Sequence, residues 1–148
     1  MCGFLIRISK NKLDKNLVKK TKKALEERGP DSNGYISYSI SSKLSIEMIH
    51  TRLEIVGIGD EGSQPIQNES KIMVFNGEIY NYKELNLLLN NKNAISDTKT
   101  LLELSSKYKM EEVVKKIRGI YSFGIFSKES NKLYLNRDQF GTKPLYFA

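Results

Sequence analysis

The sequence predicts an α+β fold of antiparallel sheets covered by helices, and three observations carry that expectation. Short runs of alternating apolar residues lie towards both ends of the chain, leucines recur at helical spacing between them, and the order is strands, helices, then strands. A doubly wound parallel sheet would alternate strands and helices throughout. The 148 residues fit one domain, long enough to bury a core and too short for two.

Cys2 to Ile8 reads as a strand beginning almost at the N-terminus. Leu13, Leu17, Ala24 and Leu25 mark a loosely amphipathic helix that Gly29-Pro30 ends. Tyr35 to Ser41 and Leu44 to Leu53 are rich in alternating Ile, Tyr, Leu or Met across a Ser-Ser-Lys turn, the pattern of an antiparallel hairpin. Residues 57–70 carry Gly, Pro, Asp, Gln and Asn with few apolar residues, which predicts a long loop of the kind that is often functional. Ile72 to Phe75 is a short strand, and the Asn76-Gly77 that follows has the composition of a tight turn. Leu85, Leu88 and Leu89 predict a helix, and Leu101, Leu104 and Tyr108 predict another that starts at Ser96-Asp97. A third covers Met110 to Ile117. Tyr121 to Phe126 and Leu133 to Asn136 form a second strand pair, and Pro144 to Ala148 is a last strand.

The net charge of +7 raises nucleic acid or an acidic membrane as partners. Its distribution argues against both, because much of the excess is lysine between Lys15 and Lys23 on a helix-like stretch, where lysines form a solvated face. No basic stripe is interleaved with aromatics, as a strand-binding groove requires. No stretch approaches 18 apolar residues, and the N-terminus lacks the pattern of a secretory signal. A single cysteine forms no internal disulfide and leaves the spacings of a zinc site absent. The expectation is a soluble cytoplasmic domain with no nucleic-acid or membrane partner, no metal and no cofactor.

That single cysteine is Cys2, directly behind Met1. Removing Met1 places a thiol and an α-amino group on one residue, and a terminal amine is a recognised activator of a side-chain nucleophile. A lone cysteine is more often a small buried hydrophobe. The polar clusters at the ends of the predicted strands give it a different meaning: Arg28-Gly29-Pro30-Asp31, His50-Thr51-Arg52, Asn76-Gly77-Glu78, Ser96-Asp97-Thr98 and Arg137-Asp138. Each also has a plain structural explanation, as a helix stop, a turn, an N-cap or a surface ion pair. Together they meet the needs of one reaction. Thiolate attack on a carboxamide makes a tetrahedral oxyanion, which the Asn76 amide and a backbone N–H at the Asn76-Gly77 step can stabilise. An amino-acid substrate also brings a carboxylate and an ammonium, suited to Arg52 and to Glu78 with Asp97.

The chain resembles the glutaminase domain of glutamine-dependent asparagine synthetases, a class II glutamine amidotransferase of the N-terminal nucleophile hydrolase type. The resemblance runs from Cys2 to Ala148. It rests on Met-Cys-Gly, on Arg28 to Asp31, on Arg52-Leu53-Glu54-Ile55-Val56, on Phe75-Asn76-Gly77-Glu78-Ile79-Tyr80-Asn81, on Ser96-Asp97-Thr98, and on Arg137 to Tyr146. Any one is weak, and six in the right order are specific. The resemblance implies a four-layer αββα sandwich with Cys2 at the end of a central strand. It further implies that Cys2 attacks the side-chain amide of L-glutamine and releases ammonia through a γ-glutamyl thioester, its own α-amino group serving as the base. Asn76 and Gly77 match the oxyanion hole, Arg52 the carboxylate clamp, Glu78 and Asp97 the ammonium contacts, and Ile55 and Val56 the glutamine-binding segment. The Arg137 to Tyr146 motif and His50 read as structural.

Three departures from the family pattern stand out. Glu54-Ile55-Val56-Gly57 replaces the frequent Ser-Ile-Val-Asp, and Lys99 stands where an acid is common. The Ser-Gly-Gly-x-Asp-Ser loop of the ATP-using synthetase domain is absent. The expected unit is therefore one amidotransferase domain over residues 1–148, incomplete at its C-terminus, with ATP and magnesium belonging to a synthetase domain or subunit outside it. A homodimer is left open. The rival expectations are a non-catalytic glutamine-binding or subunit-docking module, and the glutaminase half of a related enzyme that amidates another acceptor.

Overall fold

A computed structural model describes residues 1–54, 62–91 and 96–148. Two antiparallel sheets pack face to face. The first has the order β1-β3-β2, from β1 (Gly3–Ser9), β2 (Ser32–Ser41) and β3 (Leu44–Arg52). The second has the order β4-β5-β6-β7, from β4 (Ile66–Gln67), β5 (Lys71–Ile79), β6 (Gly119–Ser127) and β7 (Lys132–Arg137). Helix α1 (Lys15–Glu26) lies against β3 and β1, while α3 (Asp97–Lys107) lies against β5, packs on α2 (Tyr82–Leu88) and meets α4 (Met110–Lys116). The result is the expected αββα sandwich.

Alternation assigns each side chain to a layer. Ile46 and Met48 of β3 meet Ile72 and Val74 of β5 and Phe126 of β6 between the sheets. The intervening Met73, Phe75, Ile79, Phe123 and Ile125 join Leu101, Leu104 and Val113 under the helices. Gly124 leaves room for the Ile6 side chain between the sheets, since a Cβ there would lie 2.0 Å from Ile6 Cδ1. On the outer face of the first sheet, buried Glu47 accepts from Arg7 Nη1 at 2.9 Å, Leu13 N at 2.8 Å and Tyr35 Oη at 2.6 Å. These bonds tie β1, β2 and the approach to α1 onto β3. Asp14 caps α1 by accepting from Leu17 N at 2.8 Å.

Three expectations change. Asn76-Gly77 is no turn: both residues lie inside β5, opposite Ser122 and Tyr121 of β6. Gly77 has φ 149°, and a Cβ would fall 2.1 Å from Ile120 O, so glycine serves a close strand approach here. Residues 144–148 form no strand. The N–H groups of Phe140, Thr142 and Lys143 are committed to the Asp138 carboxylate at 2.9–3.1 Å, which winds the segment into a turn, and Pro144 has no N–H to offer a ladder. Lastly, among the described residues β1 pairs with β3 alone and is one edge of its sheet, where the resemblance implies a central strand.

Asp138 also accepts from Tyr121 N at 3.1 Å and returns its own N–H to Tyr121 O at 2.7 Å. Burial alone would raise its carboxyl, but the N–H groups of Thr142 and Lys143, helped by the Thr142 side chain and Tyr121 N, hold it well below the usual carboxylate range. A depressed carboxyl stabilises the fold above its unfolded value of about 3.9 and loses that contribution as pH falls further. Asp138→Ala is expected to lower the unfolding free energy by about 2–3 kcal/mol at neutral pH, because buried donors lose a charged acceptor. In urea titrations the gap between variant and parent should close as the pH is taken below about 3; a constant gap would contradict this account.

Candidate active site

Both sheets end in polar residues at the same edge of their interface. On β3, His50 and Arg52 continue the inward-facing row of Ile46 and Met48; on β5, Asn76 and Glu78 continue that of Ile72 and Val74. Cys2 enters just ahead of β1. A cavity of about 180 Å³ gathers Cys2, Arg52, Asn76, Gly77, Glu78 and Asp97. A larger, mostly apolar cavity of about 580 Å³ touches Cys2 and Asn76 from another side, against Phe4, Ile6, Leu133 and Leu135. The smaller one is the candidate site, because it alone combines the thiol with charged groups of both signs.

Cys2 is held from two directions. Arg28 Nε donates to the Cys2 carbonyl at 3.3 Å, and the Leu53 N–H lies 3.5 Å from Sγ. The Arg28-Gly29-Pro30-Asp31 segment is therefore more than a helix stop. Gly29 lies so close to β3 that a Cβ would fall 2.5 Å from Thr51 O, Asp31 N donates to Arg52 O at 3.0 Å, and Asp31 Oδ2 accepts from Glu54 N at 2.8 Å. One short segment thus positions Cys2 and the end of β3. Buried Arg52 is ion-paired through Nη1 to Glu54 Oε1 at 3.2 Å.

The outer edge of β5 supplies the second half of the site. In an antiparallel ladder, alternate residues direct both backbone groups to the same neighbour. Tyr121 spends its own on Asp138, so the Gly77–Tyr121 pair is not hydrogen-bonded and the Gly77 N–H points away from β6. The same holds for Met73, Phe75 and Ile79. Met73 pairs with Ile66 of β4; Phe75 N donates to Gln64 Oε1 at 2.6 Å; Ile79 N donates to Asp97 Oδ2 at 3.1 Å. Among the described residues neither the Gly77 N–H nor the side-chain amide of buried Asn76 has a hydrogen-bond partner. Two adjacent donors face the cavity beside a thiol.

Asp97 opens α3 and also accepts from Thr98 N at 2.8 Å. Burial pushes its carboxyl up, the bonds from Ile79 and Thr98 oppose this, and Glu78 adds to the rise. Glu78 is exposed at the cavity mouth. Ile55 and Val56 lie outside the described residues. The sequence assigned no site role to Gln64, Thr98, Ile120 or Lys143, which also line the cavity. Only the composition of the 57–70 loop signalled Gln64. Lys143, read as architectural, places Nζ 3.2 Å from Met1 Sδ. Among the described residues no cluster of three or more His, Cys, Asp or Glu is placed to hold a metal ion, and no helix is long and apolar enough to cross a membrane.

The two-sheet arrangement has a solved counterpart. A glutamine phosphoribosylpyrophosphate amidotransferase from B. subtilis superimposes with a TM-score of 0.67 over 92% of this chain and 37% of that one, at 18% identity, which shows a shared fold. A family model described as a glutamine amidotransferase domain matches residues 1–148, and the chain belongs to that family. It is 38% identical to asparagine synthetase (glutamine-hydrolyzing) 1 of Bacillus subtilis (strain 168) and 34% identical to a putative counterpart of Methanocaldococcus jannaschii. The matches cover 100% and 99% of this chain but only 24% and 32% of those proteins, so the chain spans about a quarter to a third of their length.

His50, beneath the cavity, is fully buried and passes from one sheet to the other, Nε2 to Phe75 O at 3.1 Å. Burial, helped by the charge of Arg52, brings its imidazole down to about 4 against the pull of the Phe75 carbonyl. The neutral ring therefore donates through Nε2, and among the described residues Nδ1 has no partner. Because the unfolded chain binds a proton near 6.5 and the folded chain only near 4, stability rises with pH through this window and is lost as pH falls from 6.5 towards 4. The expected loss is on the order of 3 kcal/mol. Urea unfolding of His50→Gln, which keeps an amide donor but does not titrate, should lack this component; parallel pH curves for variant and parent would refute it.

Proposed function

We propose that this domain hydrolyses the side-chain amide of L-glutamine to glutamate and ammonia, with Cys2 as nucleophile. The observation that carries the reading is the pair of unpartnered donors, the Asn76 amide and the Gly77 N–H, facing the cavity that holds the only thiol. Once Met1 is removed, the α-amino group of Cys2 takes the thiol proton as sulfur bonds to the amide carbon, and the carbonyl oxygen gains negative charge between Asn76 and Gly77. The amine returns the proton to the leaving nitrogen as the C–N bond breaks, which releases ammonia and leaves a γ-glutamyl thioester. Water then attacks the thioester, and glutamate leaves as the thiol reforms.

Arg52 receives the substrate α-carboxylate, and Glu78 with Asp97 receives its ammonium. The ammonia goes to a synthetase domain or subunit. The asparagine synthetase relatives make aspartate amidation the leading use of that ammonia.

The test is direct. Purified protein should carry a mass without Met1 and should release glutamate from glutamine, and Cys2→Ala should abolish release. Asn76→Ala should reduce kcat about 10²–10³-fold, as loss of an oxyanion donor does. Glutamine turnover by a chain that retains Met1 would refute the mechanism.

Glu54 adds an expectation specific to this sequence. Its carboxylate sits on the guanidinium that the substrate carboxylate needs, at a position where the family often has Ser. Glu54→Ser should lower the KM for glutamine several-fold with kcat little changed, measured by steady-state glutamate release. An unchanged or higher KM would show that the pair does not compete with substrate.

A further inference from the structure

We infer that Gln64 is a substrate-contacting residue, a further donor that positions an oxygen of the bound amino acid against β5. This rests on the glutaminase reading above. Gln64 precedes Pro65 at the start of the short β4, is buried, and lines the cavity with Cys2, Asn76 and Gly77. Its orientation is fixed chemically: the Phe75 N–H can only donate, so the atom it meets at 2.6 Å is the amide oxygen, Oε1. The NH₂ group is what remains, and among the described residues it has no hydrogen-bond partner.

The backbone of Gln64 is equally constrained. A Cβ on Gly34 would fall 2.1 Å from the Gln64 carbonyl oxygen and 2.8 Å from Pro65 Cδ, so this segment rests directly on β2. Phe75 is gripped at both ends, its N–H by Gln64 and its carbonyl by His50 at 3.1 Å. Along the open edge of β5 the order is then Gln64 at Phe75, the unpaired N–H of Gly77, and the Asp97 carboxylate at Ile79. An NH₂ donor on one side of Gly77 and an acid on the other suit a ligand with an oxygen at one end and a cationic amine at the other. An NH₂ group at the cavity wall with no protein acceptor among the described residues is satisfied when that oxygen arrives.

Two variants separate this role from a merely structural one. Gln64→Glu keeps an acceptor for the Phe75 N–H but loses the NH₂ donor and adds charge; Gln64→Leu loses both polar atoms but adds no charge. The loss common to both is the donor. In steady-state glutamate release each variant is expected to fall at least 10-fold in kcat/KM, while Gln64→Glu, by retaining the cap, stays folded by circular dichroism and thermal melting. Its deficit should shrink as pH is lowered, when a protonated carboxyl regains a donor. If Gln64→Leu does not fold, Gln64→Glu and its pH profile decide. Wild-type kcat/KM in folded Gln64→Glu would overturn the assignment of Gln64 alone. Absence of turnover in the parent protein would overturn the glutaminase reading and this inference with it.

Discussion

The site depends on one constraint of antiparallel pairing: β5 is bonded to β6 through every second residue, so Gly77 must turn its N–H outwards. An outward N–H would ordinarily be taken by the next strand. Here β4 stops after pairing Ile66 with Met73. Continuing that register would bring Pro65 and then Gln64 opposite Val74 and Phe75. Gln64 meets Phe75 with its side-chain oxygen instead of its own carbonyl, which is pressed against β2. On the other side of Gly77, Asp97 takes the place of a partner strand at Ile79. The ladder is interrupted at a single residue, and the interruption faces the thiol.

Sheet stacking supplies the rest. The face that carries the apolar contacts of Ile46, Met48, Ile72 and Val74 also carries Arg52 and Asn76 one or two strides further along. The packing that closes the core therefore fixes the distance between the cationic and amide halves of the cavity. His50 joins the halves as a neutral donor, because its charged form could not be desolvated so deeply between the sheets.

Much of this was legible in the sequence. Alternation in residues 35–53 and 121–136 marked both hairpins, since strand faces differ sharply in polarity, and leucine spacing marked α2 and α3. Cys2, Arg52, Asn76, Gly77, Glu78 and Asp97 were each expected at a site and all line one cavity. Asn76-Gly77 misled as a turn because composition registers glycine's freedom without its cause, here the approach of Ile120 O. The C-terminal strand failed because Asp138 holds residues 140–143 in a turn immediately ahead of it, a tertiary effect that no local pattern displays. Gln64 was invisible as a site residue for a related reason. Its role comes from which of its two amide atoms faces Phe75, and only the register of β4 against β5 decides that.

The placement of Cys2 follows from what a terminal amine must do. A residue in a hydrogen-bonded pair of a ladder commits its nitrogen to the neighbouring strand, and a committed nitrogen cannot serve as a base. β1 begins one residue later, at Gly3, which pairs with Thr51. Cys2 is instead anchored through its carbonyl by Arg28 and through its sulfur by the Leu53 N–H. A Cβ on Gly3 would meet Thr51 Oγ1 at 3.1 Å, Leu25 Cδ2 at 3.3 Å and Arg28 Cβ at 3.4 Å, so a larger residue would push against the helix end that holds Cys2. The Met-Cys-Gly start and the Arg28 to Asp31 segment are thus two parts of one device, which holds Cys2 firmly while leaving its α-nitrogen outside the sheet.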